Sequence, residues 1–273
     1  MKILYVSDLD GTLLNSNNTI SEYSINTING LINKGMCFSY ATARSLSSAS
    51  VVTHGLKTNI PVITYNGTFI VNANTKEKLF SLCFSDNEKT IITDFLDNNS
   101  VFPFVNSFID GEEKVSWVRN KENDGMKKYL NSRKGDIRLR PVDNKNDLYN
   151  GELFYFTCIG EKQDLEKAYN YFGNSEFFTC TLQQELYQNE YWCEVMSKNA
   201  TKGNAVIALK EMLKCDKIIS FGDAINDIPM FKISNECYAV ENAVDELKKH
   251  ATGIIKSNDN DGVAHWLEMN YGK

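Results

Sequence analysis

"YVSDLDGTLLNS", residues 5–16, joins an apolar run to two carboxylates, Asp8 and Asp10, that stand one residue apart. Residues 2–8 are predicted to form a short buried strand, so the two acids stand at its end. Two unit charges 4 Å apart repel each other by about 4 kcal/mol at an effective dielectric constant near 20. The stretch therefore predicts either a cation beside the two acids or a proton held by one of them.

Strands and helices alternate at both ends of the chain. The first part predicts strands at 2–8, 36–42 and 61–66, with helices at 21–34 and 45–56 between them. The last part predicts helix 201–213, strand 217–222, a short helix near 225–231, strand 236–240, helix 242–249, strand 252–256 and helix 259–268. This alternation is typical of an α/β fold with a doubly wound, mostly parallel sheet. After Gly67 the sequence predicts a hairpin that leads away from the sheet.

The middle of the chain has a different pattern. Between about 85 and 196, helical and strand-like stretches are interleaved and are separated by Gly or Asn clusters. The simplest architecture is a core α/β domain, 1–84 and 197–273, that is interrupted by an inserted α+β domain, 85–196.

Composition limits the classes of partner. The 273 residues carry a formal net charge of -6 without a basic block, which argues against nucleic acid or an anionic membrane as a partner. The seven Cys are scattered and the three His stand far apart, so no zinc cluster is predicted. We expect reduced cysteines, no signal peptide and no membrane span, and hence a cytoplasmic protein.

Polar residues follow three predicted strands at their carboxyl ends, where open parallel sheets bind ligands. A lysine stands at the start of the helix that resumes the core pattern. These segments are Asp8 to Thr12, Ala41 to Arg44, Gly222 to Asp227, and Lys202.

Acids that converge from separate loops suit Mg²⁺, which prefers oxygen ligands and would offset the repulsion between Asp8 and Asp10. A phosphoryl group would account for the other residues. Thr42 and Lys202 can hold its oxygens, and loop N–H groups such as that of Leu9 can form a small anion nest. A carboxylate that attacks phosphorus forms an acyl phosphate, which splits one difficult displacement into two easier ones. Asp10 could then protonate the leaving oxygen and later deprotonate water.

Four stretches, in order, resemble the motifs of the haloacid dehalogenase superfamily. They are DLDGTLL (8–14), ATAR (41–44), TKGNAV (201–206) and GDAINDIPM (222–230). NDNDGVAHWL (258–267) and the NG at 66–67 resemble its Cof-type sugar-phosphatase branch. Each stretch alone has an ordinary interpretation, since Asp-Gly is a common turn pair and a lysine at a helix start is usually solvated. Together the four are specific.

The resemblance implies a role for each matching residue. Asp8 matches the nucleophile and Asp10 the acid and base. Thr42 and Lys202 match the phosphate-binding residues, and Asn226 matches a residue near the phosphate. The backbone N–H groups of Leu9 and Ala43 complete the expected phosphate-binding set. The positions matched to the metal are Asp8, Asp10 through its backbone carbonyl, Asp223 and Asp227. The weaker candidates for substrate contacts are Arg44 and Asn66, and an ion pair is an equally good interpretation of Arg44.

Ala43 departs from the family pattern, in which Gly is usual. Alanine keeps the backbone N–H but tolerates a positive φ poorly, so a slightly different local geometry is expected. The inserted domain, 85–196, resembles that branch's cap, which closes over the site and contributes substrate contacts.

The implied function is a Mg²⁺-dependent phosphatase that hydrolyses small phosphorylated metabolites, sugar phosphates in particular, through an aspartyl-phosphate. One alternative is a phosphomutase or phosphotransferase acting on sugar phosphates. Another is a non-catalytic protein that binds phosphometabolites on the same fold; it predicts decay of a catalytic position, and none is seen. We expect a small phosphate ester as the partner and a monomer or weak homo-oligomer.

Overall fold

The computed structural model describes residues 1–184 and 190–272 and divides the chain into two units. The core unit comprises Met1–Ser81 with Ala200–Lys273, and the inserted unit comprises Leu82–Asn199.

The strands and helices of the described residues are numbered in chain order. The strands are β1 Ile3–Ser7, β2 Cys37–Tyr40, β3 Val62–Thr64, β4 Phe69–Val71, β5 Lys78–Ser81, β6 Phe104–Ile109, β7 Glu112–Val118, β8 Leu139–Val142, β9 Glu152–Gly160, β10 Phe178–Gln184, β11 Tyr191–Ser197, β12 Lys217–Gly222, β13 Glu236–Val240 and β14 Gly253–Ile255. The helices are α1 Glu22–Asn33, α2 Leu46–Val52, α3 Asp86–Asn98, α4 Asp124–Ser132, α5 Lys145–Leu148, α6 Lys162–Gly173, α7 Lys202–Leu213, α8 Ile228–Ile233, α9 Asp245–Lys248 and α10 Gly262–Asn270.

The core sheet has the strand order β14-β13-β12-β1-β2, and all of its pairs are parallel. β1 lies inside the sheet, which explains its continuous apolar run: Leu4, Tyr5 and Val6 are all buried. The backbone N–H of Asp8 donates to the carbonyl of Phe221 at 2.9 Å, so the acid is fixed beside the end of β12. The predicted α/β fold with a parallel sheet is confirmed.

Helix α1 begins where the sequence predicts it. The side chain of Ser21 accepts a hydrogen bond from the Ser24 N–H at 3.0 Å, which caps the first turn. Ile28, Leu31 and Ile32 are buried on one face, and the positive φ of Gly35, 99°, ends the helix.

The strand predicted at 61–66 belongs to a different sheet. β3 pairs antiparallel with β4, and β4 with β5, so the predicted hairpin is confirmed, while a single parallel bridge, Ala41–Ile63, leads to the end of β2. The strand stops at Thr64 because Tyr65, Asn66 and Gly67 all have positive φ.

Three helix predictions are too long or begin too early. The helix predicted at 242–249 is reduced to α9, because the Asn242 side chain bonds to the Gly11 carbonyl and the Asn258 N–H instead of starting a helix. The helix predicted at 259–268 begins only at Gly262, since Asp261 has a left-handed backbone. The helix predicted at 45–56 ends at Val52.

The inserted unit contains a six-stranded sheet with the order β10-β11-β9-β6-β7-β8, antiparallel except for the parallel pair β7 and β8. Helices α3 and α6 pack on one face through residues such as Ile92 and Phe172. Met126 of α4 packs with Phe104 and Trp117, whose side chains point to the other face. Between β6 and β9 the register shifts at Asn106 and Ser107.

Across residues 1–184 and 190–272, no helix combines the length and the apolar character that crossing a bilayer requires.

Candidate active site

The segments that follow β1, β2 and β12 meet at one edge of the core sheet, as expected for parallel strands. After β1, residues 9–13 form one wide turn that is closed by a hydrogen bond from the Leu14 N–H to the Leu9 carbonyl at 2.8 Å. Gly11 has a φ of 75° in this turn. The turn carries Asp8 and Asp10 to the same edge.

Lys202 lies between two of the predicted acids. Its Nζ is 2.7 Å from Asp8 Oδ1 and 2.7 Å from Asp227 Oδ1. The Lys202 and Asp227 side chains are fully buried and that of Asp8 is 6 % exposed. Thr201 caps the helix on which Lys202 stands, through a hydrogen bond from the Asn204 N–H at 3.1 Å. Lys202 is therefore a buried counter-charge and not a solvated lysine at a helix start.

Asp227 organises the loop that follows β12. Its Oδ2 accepts hydrogen bonds from the backbone N–H groups of Asp223 at 3.0 Å and Ala224 at 3.1 Å, while Oδ1 accepts from Lys202. Gly222 makes room for this carboxylate, because a Cβ there would lie 2.6 Å from Asp227 Oδ2. Both carboxylate oxygens of Asp227 thus accept hydrogen bonds from other groups of the protein.

Asp223 is held by the turn that follows β1. Its Oδ1 accepts a hydrogen bond from Thr12 Oγ1 at 2.8 Å. Gly11 lies directly against the same carboxylate, because a Cβ there would lie only 2.3 Å from Asp223 Oδ2. The close approach of the two loops requires the glycine at position 11.

The acids form a cluster in which three carboxylates face one ammonium group. Carboxylate oxygens of Asp8, Asp223 and Asp227 lie within 4.8 Å of one another, with Lys202 as the cation among them. Burial raises the pKa of Asp8 well above its ordinary value, Asp227 and Asp223 raise it further, and Lys202 opposes the shift. Burial also raises the pKa of Asp223. For Lys202, burial acts to lower the pKa, but the two acids that it contacts raise it overall. Excess negative charge on oxygen donors fits a divalent cation.

Asp10 is not one of the three clustered acids, and its side chain pairs with Arg44. Arg44 Nε lies 2.8 Å from Asp10 Oδ2 and 3.1 Å from Oδ1, and Arg44 Nη2 lies 2.5 Å from Oδ1. The hydrogen bonds to Asp10 raise the pKa of Arg44, so the guanidinium is charged. Of the two interpretations of Arg44 left open by the sequence, the structure contains the ion pair.

The other predicted phosphate-binding residues lie on neighbouring loops. Thr42 is fully buried, its Oγ1 accepts from the Arg44 N–H at 3.1 Å, and its carbonyl accepts from the Asn66 N–H at 2.9 Å. Asn226 Nδ2 donates to Asn66 Oδ1 at 3.0 Å, which joins the loops after β3 and β12. The Leu9 side chain is in the core, so only its backbone N–H is available to a ligand. Ala43 is not among the described residues with positive φ, so its backbone does not require the usual glycine.

Two residues that support the site are not among the predicted site residues. Thr12 bonds to Asp223, and its position in the turn after Asp10 is the only signal that could have indicated this. Asn242 donates to the Gly11 carbonyl at 2.8 Å and accepts from the Asn258 N–H at 3.0 Å. Nothing in the surrounding sequence marks Asn242, because its partners come from distant segments.

The close approach at Gly11 makes a testable prediction about stability. Gly11→Ala is expected to lower the free energy of unfolding by about 1–3 kcal/mol more than Gly35→Ala does. Both glycines have positive φ, but the nearest atom to a Cβ at Gly35 is 4.0 Å away, so the control carries the backbone strain without the collision. Chemical denaturation of both variants provides the measurement. Equal losses would show that Asp223 moves aside without cost.

Comparisons with known proteins agree with the fold and the site. A family model described as haloacid dehalogenase-like hydrolase matches residues 5–267. The chain is 26% identical to 5-amino-6-(5-phospho-D-ribitylamino)uracil phosphatase YwtE of Bacillus subtilis (strain 168), over 96% of each chain. This similarity extends through both units.

Solved structures share the same fold. TM0651 from Thermotoga maritima matches with a TM-score of 0.79 at 24% identity, over 100% of this chain and 99% of that one. The subclass IIB sugar phosphatase BT4131 matches with a TM-score of 0.71 at 19% identity, over 98% of each chain. Because the family match extends over residues 5–267, nearly the whole length, this chain belongs to the haloacid dehalogenase-like hydrolases.

Proposed function

We propose that the protein is a Mg²⁺-dependent phosphatase that hydrolyses small phosphorylated metabolites through an aspartyl-phosphate on Asp8. Phosphatase activity as such is supported by the family and by the name of the Bacillus subtilis relative. The observation that carries the finer proposal is the contact of the buried Lys202 ammonium with Asp8 at 2.7 Å, inside a cluster of carboxylates. We assign Asp8 as the nucleophile, Lys202 as a fixed cation and the neighbouring carboxylates as metal ligands around one phosphate.

Lys202 can contact a phosphate without leaving its partners. An ammonium group has three N–H donors, and Asp8 and Asp227 use two of them. We assign the third N–H to a phosphoryl oxygen. The hydroxyl of Thr42, the backbone N–H groups of Leu9 and Ala43, and the Asn226 amide are the further donors that we assign to the phosphate.

The proposed metal ligands are Asp8, the backbone carbonyl of Asp10, Asp223 and Asp227. Bound Mg²⁺ would supply positive charge that screens the phosphate and stabilises the ionised form of Asp8. Asp223 is well suited because Thr12 fixes one of its oxygens. Asp227 already accepts three hydrogen bonds, so we assign it chiefly to holding Lys202 and the loop.

In the first proposed step, a carboxylate oxygen of Asp8 attacks phosphorus and the bond from phosphorus to the ester oxygen breaks. Asp10 gives its proton to that departing oxygen. In the second step, Asp10 removes a proton from water, the water oxygen bonds to phosphorus, and the bond between phosphorus and Asp8 breaks. Inorganic phosphate leaves and both aspartates return to their initial state.

The proposed substrates are small phosphate monoesters, and sugar phosphates are the first class to test. The Bacillus subtilis relative is named for a compound with a 5-phospho-D-ribityl group, which is a phosphorylated sugar alcohol chain. That name supports a polyhydroxylated phosphate ester for this chain.

Removing the metal tests the proposal directly. With a panel of phosphate esters and millimolar Mg²⁺, we expect steady release of inorganic phosphate from at least one ester. EDTA is expected to lower the rate by about 100-fold or more, because the charge of a metal stabilises the transition state by several kcal/mol. Added Mg²⁺ should restore the rate.

Each other outcome of this assay contradicts a specific part of the proposal. Full activity in EDTA would contradict the metal requirement. Formation of an isomeric phosphate without release of inorganic phosphate would indicate a phosphomutase. Binding of an ester with neither turnover nor a phosphorylated enzyme would indicate a non-catalytic binding protein.

A further inference from the structure

The carboxylate of Asp10 is bound at both of its oxygens by one guanidinium group. Arg44 Nε and Nη2 together make three contacts with it, at 2.5, 2.8 and 3.1 Å. The Asp10 side chain is 45 % exposed, so packing alone does not fix its torsion angles. Because the guanidinium group is planar and binds both carboxylate oxygens, it fixes both the position and the plane of the Asp10 carboxylate.

Arg44 is itself held by its own loop. Its N–H donates to Thr42 Oγ1 at 3.1 Å, and its carbonyl accepts from the Tyr65 N–H at 3.1 Å. Its Nη1 contacts Ser48 Oγ at 3.3 Å on helix α2. Each of the three guanidinium nitrogens therefore has a protein partner, and the side chain is aimed at Asp10.

We propose that Arg44 is a positioning residue that acts through Asp10, and not a ligand for the substrate's phosphate. The inference rests on the proposed function, in which Asp10 transfers the proton. A carboxylic acid can protonate a departing oxygen only if the oxygen that carries its proton lies on the line of that transfer. Arg44 supplies that orientation from outside the acidic cluster of Asp8, Asp223 and Asp227.

The contacts indicate how the pair can work without separating. The bond from Nη2 to Oδ1 can persist while Oδ2 gives up its contact with Nε. Once released by Nε, Oδ2 holds the proton that Asp10 took from water in the preceding turnover. It passes this proton to the ester oxygen as the bond from phosphorus to that oxygen breaks. In the second step a proton returns from water to the same Oδ2, while Oδ1 keeps its hydrogen bond from Nη2.

The test compares two classes of ester in Arg44→Gln and Arg44→Lys. The value of kcat/KM reports the steps up to phosphoryl transfer to Asp8. p-Nitrophenyl phosphate has a good leaving group that needs no proton, whereas a hexose 6-phosphate has a poor one. Because positioned acid catalysis contributes about 10²–10⁴-fold, we expect kcat/KM for the hexose phosphate to fall by about 100-fold in Arg44→Gln. For the aryl ester we expect a loss of about threefold or less, since no proton is needed there.

Inhibition by inorganic phosphate measures whether Arg44 holds the phosphate itself. A positioning role predicts an inhibition constant close to that of the wild type in both variants. Arg44→Lys keeps the charge but lacks the planar fork, so it should recover only part of the hexose phosphate activity. Guanidinium ion, added at millimolar concentration to Arg44→Ala, should raise the hexose phosphate rate and leave the aryl ester rate nearly unaffected.

Other outcomes overturn the inference. Equal losses for both esters, together with weaker inhibition by phosphate, would make Arg44 a phosphate ligand. Arg119→Gln is the matched control, because Arg119 forms an exposed ion pair with Asp143 in the inserted unit, and its kinetics should be those of the wild type. If the wild type hydrolyses neither ester with Mg²⁺, the proposed function fails first and the inference falls with it.

Discussion

Asp8→Asn is expected to abolish turnover, lowering kcat by on the order of 10⁴-fold or more, because an amide cannot form the aspartyl-phosphate. The substitution preserves the shape of the side chain, and the amide oxygen can still accept a hydrogen bond from Lys202, so the protein should remain folded. Release of inorganic phosphate from the best ester of the panel measures the loss. Labelled ester in a rapid acid quench should trap phosphate on the wild-type protein and none on the variant.

A carboxylate outside the site provides the control for this substitution. Asp259 is exposed and accepts hydrogen bonds from the N–H and the hydroxyl of Ser16. Asp259→Asn should retain wild-type turnover. Full Mg²⁺-dependent activity in Asp8→Asn would show that another group attacks phosphorus, and the proposed mechanism would then be wrong.

Lys202→Met is expected to destabilise the core unit by about 3–5 kcal/mol, the cost of leaving buried charges without their partner. The lysine is fully buried, and its Nζ lies 2.7 Å from both Asp8 and Asp227. Its loss leaves the negative charges of these two acids to repel each other. Chemical denaturation should be followed through amide exchange of β1 and β12, since two units need not unfold together. Added Mg²⁺ should stabilise the variant more than the wild type, because it restores the missing positive charge.

Two further variants test whether the loss of the Lys202 charge causes the expected loss of stability. Lys202→Met combined with Asp227→Leu removes the cation and one of its anions, and it should recover part of the lost stability. Lys249→Met removes a lysine from an exposed pair with Glu246, and it should change stability by about 0.5 kcal/mol or less. A small loss in Lys202→Met would mean that the acids take up protons at little cost.

Much of the core could be predicted from short buried strands that are bounded by turn residues. The strands predicted at 217–222 and 236–240 have the same bounds in the structure, since each is an apolar run with a clear end. The carboxyl ends of the strands then identify Asp8 and Asp223 as neighbours, because parallel strands end at one edge. Lys202 stands at the start of helix α7, and its place beside them is indicated by the order of the motifs.

Side-chain direction could not be predicted in the same way. The pairing of Arg44 with Asp10 depends on rotamers in two loops, and the sequence leaves a phosphate contact equally open. Asn242 replaces the start of a predicted helix by bonding to segments far away in the chain. Local propensity has no information on such partners. The sequence identifies Asp227 as a candidate metal ligand. It does not indicate the three hydrogen bonds that the carboxylate accepts, because these depend on the folded loop.

The placement of Leu82–Asn199 between the two parts of the core has a consequence for synthesis on the ribosome. Central strand β1 pairs with β12, and Leu4 lies opposite Ile218 in that pair. The core sheet therefore cannot form around β1 until β12 has been synthesised. At ordinary translation rates, Asp8 emerges roughly 10–40 seconds before Lys202. The inserted unit is a continuous segment and is complete in the nascent chain earlier. A prematurely terminated chain would therefore carry Asp8 and Asp10, the two proposed catalytic acids, without the lysine that pairs with Asp8.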